Sequence, residues 1–134
     1  MTPEEEQYLV LAALETIRLY DYMPFSLRFF KAAGLDTSSQ PIYSDYFKTG
    51  YLYIIQGICA IETPTGKPQI KIGIEIGGTK YIFTSGTVAN AEDSVDYVGQ
   101  LLVRENQRVF ADFEGATAND TANLYINGYR VRFK

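Results

Sequence analysis

A chain of 134 residues has room for one domain with a modest core. It holds no histidine and a single cysteine, which excludes Ser-His-Asp and Cys-His catalysis and the usual zinc sites. Its net charge of −4 argues against a nucleic-acid partner, and the late arginines Arg104, Arg108, Arg130 and Arg132 are interrupted by Glu105, Asp112 and Glu114.

The first element is a capped helix. Thr2 suits the cap, Pro3 suits the first helical position because its missing N–H would find no partner there, and Glu5 completes a capping box. Glu4, Glu5 and Glu6 place negative charge at the positive end of the helix dipole. From Tyr8 to Leu14 apolar groups fall on nearly every side, and Gln7, Glu15 and Arg18 leave only a narrow polar stripe. One sheet face covers part of such a helix. The element therefore reads either as a core helix on its own sheet or as one shared between subunits or inserted into a larger assembly. Glu15 and Arg18 break the run short of the ~20 apolar residues a bilayer span needs, and the acidic front is unlike a secretory leader. No membrane partner is expected, and assembly in the cytosol is.

Met23-Pro24 marks the expected end of the helix, since proline disfavours helix at the residue before it. The chain is accordingly divided into an N-terminal helix over 1–23, as anchor or interface, and a β-sandwich over 24–134. Eleven tyrosines and eight phenylalanines favour strands. Strands are expected at Phe25 to Phe30, Tyr51 to Ile61, Val95 to Arg104 and Val109 to Phe113, with loops at Thr63 to Pro68 and Gly115 to Thr121. Two hairpins complete the set. One turns at Gly77-Gly78, setting Glu75 opposite Lys80, Ile74 opposite Tyr81 and Ile72 opposite Phe83. The other turns at Asn127-Gly128, setting Ile126 opposite Tyr129, Tyr125 opposite Arg130 and Leu124 opposite Val131.

The strand from Tyr51 is apolar on both faces, with Tyr51, Tyr53, Ile55 and Cys59 on one and Leu52, Ile54, Ile58 and Ala60 on the other. A sandwich buries one face; the helix or a neighbouring subunit must cover the second. The interface candidates are Tyr8, Leu9, Val10, Leu11, Leu14 and Ile17 on the helix and Tyr51 and Tyr53 on the strand. Cys59, inside this strand, reads as a buried, inert thiol.

Candidate sites for chemistry are few. Gly73-Ile74-Glu75-Ile76-Gly77-Gly78-Thr79-Lys80 resembles the phosphate-binding segment of sugar kinases of the actin-like ATPase fold, where an aspartate usually stands in place of Glu75. That fold needs two lobes far longer than this chain, and the residues that follow read as strand, so a tight hairpin is expected instead. Asn90, Glu92, Asp93 and Asp96 offer oxygens to calcium without the spacing of a known calcium loop, and read as a solvated acidic loop. Asp112, Glu114 and Asp120 invite comparison with the paired acids of glycosidases, which require a defined separation that spacing does not reveal. Tyr43, Tyr46 and Tyr125 suit cross-strand packing, sugar stacking or a protein interface.

One further resemblance covers roughly the last ninety residues. Phe47-Lys48-Thr49-Gly50-Tyr51-Leu52-Tyr53, the Gly-Gly hairpin, and the run from Gly99 to Val109 look like jelly-roll proteins of the trimeric tumour-necrosis-factor and complement-head type. Small jelly-roll proteins of tailed-phage virions are similar, including endings like Phe113 to Thr121 followed by Leu124 to Tyr129. A secretion signal and a collagen-like stalk, typical of the extracellular families, are not seen here, which favours the virion group. The resemblance implies a mainly β, jelly-roll-like antiparallel sandwich with an N-terminal α-helix, without catalytic residues, cofactor or metal. It further implies a structural or accessory protein of a phage virion, decorating the capsid or associated with head or tail. The implied partners are further copies of the chain, a trimer foremost, and other virion proteins, with no nucleic acid. The alternative is a β-sandwich module that binds a glycan or host receptor.

Overall fold

The structure, a computed structural model, describes residues 2–15, 22–32 and 40–132. One helix, α1 (Pro3–Glu15), precedes eight strands: β1 (Tyr22–Ala32), β2 (Gln40–Tyr43), β3 (Tyr51–Thr63), β4 (Gln69–Ile76), β5 (Thr79–Thr87), β6 (Ser94–Val103), β7 (Gln107–Glu114) and β8 (Thr121–Arg132). They form two antiparallel four-stranded sheets, ordered β1-β8-β3-β6 and β2-β7-β4-β5. The chain crosses between the sheets at every connection except the β4–β5 hairpin, the jelly-roll connectivity expected above. Tyr53, Ile55, Ile58, Ala60, Leu124 and Ile126 of the first sheet meet Ile70, Ile72, Ile74, Val109 and Phe113 of the second to form the core.

The start of α1 follows from its cap: Glu5 N–H donates to Thr2 Oγ1 at 3.2 Å, and Glu6 N–H to the Thr2 carbonyl at 3.0 Å. The expected end does not hold. Tyr22 and Met23 belong to β1, pairing with Val131 and Arg130, so the helix does not reach Met23. The extended backbone that Pro24 imposes on Met23 serves a strand already under way, and β1 is the outermost strand of its sheet, where a missing N–H is tolerated.

The Gly77-Gly78 turn stands, both glycines having positive φ, and Glu75 faces Lys80 and Ile74 faces Tyr81. Beyond them the register shifts, so Ile72 faces Thr84 rather than Phe83. Gly73 explains the shift: the Tyr81 carbonyl lies where a side chain would stand, so the strands close up and one residue of β5 bulges.

The Asn127-Gly128 hairpin is overturned. β8 runs unbroken through both residues, with Ser26 and Phe25 of β1 on one side and Gly57 and Ile55 of β3 on the other. Gly128 is required because the Ile54 carbonyl occupies the place of a side chain. A glycine that reads locally as a turn here admits a neighbouring backbone.

The same place corrects the faces of β3. Gln56 is an extra residue opposite β8, and the bulge reverses the alternation, so Ile58 and Ala60 join Tyr53 and Ile55 in the core while Cys59 turns outward. Ile54 keeps to the outer face, in a second apolar cluster with Leu102 and Val131 flanked by Leu52 and Tyr129. Ile54 is fully buried within the single chain, so this part of the outer face needs no second subunit to cover it. The short β2, containing Pro41, was not expected from sequence; its four residues pair with Phe110 to Phe113 of β7.

Candidate assembly surface

The helix is fastened to β6, an outermost strand of the first sheet, by polar groups. Gln7 is buried, and its Oε1 accepts the Leu102 N–H at 2.9 Å. Glu6 pairs with Arg104 at 2.6 Å at the rim. Outermost strands carry unpaired backbone groups, and a side-chain oxygen satisfying one of them both anchors the helix and blunts the edge. Tyr8 and Leu9 remain 75% and 54% exposed, two adjacent large apolar groups without cover among the described residues.

The other interface candidates fare differently. The side chains of Val10, Leu11 and Leu14 and the whole of Ile17 lie outside the described residues. Tyr51 is half-buried, with its ring 6.0 Å from that of Tyr53 and the Arg130 guanidinium 4.7 Å over its face. Tyr53 is turned into the core between Phe25 and Phe47 and offers no surface to a second chain. Exposed large apolar residues not singled out from the sequence are, among the described residues, Leu27, Phe30, Ile82 and Val98, the last 86% exposed. Val98 was legible in principle, since Val95 and Tyr97 alternate toward the core and leave it facing out.

Across the outer face of the second sheet the tyrosines are engaged by cations. The Arg108 guanidinium lies 3.7 Å from the Tyr43 ring centre and 4.6 Å from that of Tyr46. Its Nε donates to Glu75 Oε1 at 2.9 Å, an oxygen that also accepts from the Tyr46 hydroxyl at 3.5 Å. Lys80 sits 5.1 Å over Phe110, which lies across the bare Gly73 of β4 and is almost wholly buried. Tyr125, on the first sheet, is near Arg28, which in turn donates to Asn123 Oδ1 at 2.6 Å and stacks 4.5 Å over Phe30.

Cys59 is half-buried on the outer face, at a shallow open depression of about 290 Å³ shared with Asp96, Val98, Tyr125 and Asn127. Burial, reinforced by Asp96, pushes its thiol up to about 11, so at neutral pH it is protonated and a poor nucleophile.

The carboxylates do not gather as a glycosidase pair. Glu114 is held by Lys71 at 2.8 Å, and Asp112 sits on β7. Asp120 instead lies beside Glu62, a residue not singled out from the sequence, both carboxyls buried around Gly66 with no room for a sugar between them. In the acidic loop, Asn90 Nδ2 donates to Asp93 at 3.4 Å and Ser94 to Asp96 at 2.9 Å. Among the described residues no group of three or more His, Cys, Asp or Glu is placed to hold a metal ion. No described helix is long and apolar enough to cross a membrane.

No protein-family model and no curated protein matches the chain. Among solved structures it is similar to the Bacillus endospore appendages that form a family of disulfide-linked pili, at 16% identity over 84% of this chain and 89% of that one, with a TM-score of 0.49. The nucleoplasmin-like N-terminal domain of Drosophila FKBP39 is 13% identical over 88% and 97%, at 0.47. The virus-like particle of Macrobrachium rosenbergii extra small virus is 8% identical over 88% and 84%, at 0.46.

Proposed function

We propose that this chain is a non-enzymatic structural or accessory protein of a phage virion, a symmetric oligomer that assembles through α1 and its sheet faces. The observation that carries the reading is the pair Tyr8 and Leu9, exposed side by side on a helix that Gln7 and Glu6 fasten to the body. Consecutive on a helix tied to β6, they make an anchor for apolar contact with a second chain. Phe30 on β1 and Val98 on β6, at opposite edges of the first sheet, are further exposed apolar groups. The partners are further copies, a trimer foremost, and other virion proteins, and no step of chemistry is assigned.

Light scattering of the intact protein and of the double variant Tyr8→Ser, Leu9→Ser tests this. An oligomer that becomes a folded monomer in the variant supports assembly through the helix. Monomers in both cases sink it. The second reading, a glycan- or receptor-binding module, rests on Tyr46, which is exposed beside Arg108 and Glu75 in an arrangement able to stack on and hydrogen-bond a sugar. Binding on a glycan array that is lost in Tyr46→Ala would favour it.

A further inference from the structure

Glu62 lies at the end of β3 and is 1% exposed; Asp120 closes the 115–120 loop and is 4% exposed. Each carboxyl takes backbone donors from the loop next to the other. Asp120 Oδ2 accepts the N–H of Gly66 at 2.7 Å and of Thr65 at 3.1 Å, and Asp120 Oδ1 accepts the Thr65 hydroxyl at 3.0 Å. Glu62 Oε2 accepts the N–H of Thr117 at 3.1 Å. The 64–68 loop and the 115–120 loop are thus cross-tied through two carboxyls that both border Gly66. Gly66 packs against them so tightly that a side chain there would overlap Glu62 Oε2.

Two adjacent buried carboxyls do not both ionise without a compensating cation. Among the described residues the charged groups on the surrounding elements supply none. Lys67, in the loop itself, is exposed; Lys71 of β4 is taken by Glu114 of β7; Lys31 of β1 is exposed. Among the described residues no cation is ion-paired with Glu62 or Asp120, and the charge felt by Glu62 is that of Asp120. Among the described residues Glu62 Oε1 is buried with no hydrogen-bond partner, an oxygen that a bound proton would satisfy.

We propose that Glu62 and Asp120 share one proton and act as a clasp between the 64–68 and 115–120 loops, locked while the proton is held and released when it leaves. The loops close one end of the sandwich. Ala116 is buried in the core there, and the Pro68 carbonyl accepts the Val88 N–H at 3.0 Å, so release would open that end of the core to solvent.

The direction with pH is set by Glu62. Burial first, then the hydrogen bond to Asp120, pushes its carboxyl up to about 7 from 4.5. The folded chain keeps a proton that the unfolded chain has lost, so this stabilisation is complete below 4.5 and disappears as pH rises through 7. Asp120 works in the opposite sense. Burial alone would raise it, but the donors from Glu62, Thr65 and Gly66 outweigh burial and hold it below 3.8, so its contribution is lost only in stronger acid.

The test is thermal melting and cleavage by a broad-specificity protease, on the full chain between pH 5 and pH 8, for the wild type and Glu62→Gln. The glutamine amide can donate to Asp120 but does not titrate. The wild type should melt lower at pH 8 than at pH 5, with cleavage within 115–120 faster by about tenfold or more, and Glu62→Gln should lack both changes. The same pH dependence in both proteins overturns the clasp. Carbon NMR titration of Glu62 in the wild type decides the matter even if the variant folds poorly: a midpoint near 7 supports the shared proton, and one near 4.5 refutes it. Calcium added at pH 8 closes the test, because a rise in melting temperature confined to the wild type would put a metal ion in the proton's place and overturn the proposal.

Discussion

Gln7 reaches from the helix to β6 and accepts the Leu102 N–H at 2.9 Å, joining residues 95 positions apart through a buried hydrogen bond. Removing the acceptor leaves a buried amide unpaired, which costs more than the bond itself contributes. Gln7→Ala is therefore expected to destabilise the protein by about 1–2 kcal/mol in urea unfolding. It should also raise amide exchange at Leu102 selectively. Unchanged exchange at that amide would mean the helix is held by other contacts.

Arg108 stands between Tyr43 and Tyr46 with Glu75 at 2.9 Å, three partners matched to a planar cation. Arg108→Lys keeps the charge but loses the flat face and the fixed fork of donors. A loss of about 1 kcal/mol is expected for the lysine and about 2 kcal/mol for Arg108→Ala, read from denaturant midpoints. Equal stability of Arg108→Lys and wild type would show that charge alone matters there.

Two kinds of glycine should respond differently to alanine. At Gly128 the Ile54 carbonyl fills the space a side chain needs, and β8 is held on both sides. Gly128→Ala should cost about 3 kcal/mol or more. At Gly77 the φ of 57° is strained for alanine but nothing lies within 4 Å, so Gly77→Ala should cost only about 1 kcal/mol. Thermal melts of the two variants check the order.

Cys59 should react slowly with thiol reagents at pH 8. Its thiol is pushed up to about 11, so the thiolate fraction is far below that of free cysteine. Labelling should rise about tenfold per pH unit above pH 8 and level off only near that value, and Asp96→Asn, which removes the neighbouring carboxylate, should speed labelling at pH 8.

What the sequence determined by itself is local. The Thr2 cap, the Gly77-Gly78 turn with its first cross-strand pairs, the loops at 64–68 and 115–120, and the sandwich class all follow from contacts between residues near in the chain or from period-two alternation. Asn127-Gly128 shows where that reading stops: its dipeptide is a turn signal, yet β1 and β3, far away in sequence, flank it and hold it in a strand. The bulge at Gln56 likewise exchanges Cys59 for Ile58 in the core, because register belongs to a pair of strands and not to one. The meeting of Glu62 with Asp120, and of Gln7 with Leu102, was decided by tertiary structure alone. Burial and proximity gave those side chains their chemistry, and neither is a property of a residue in its own segment.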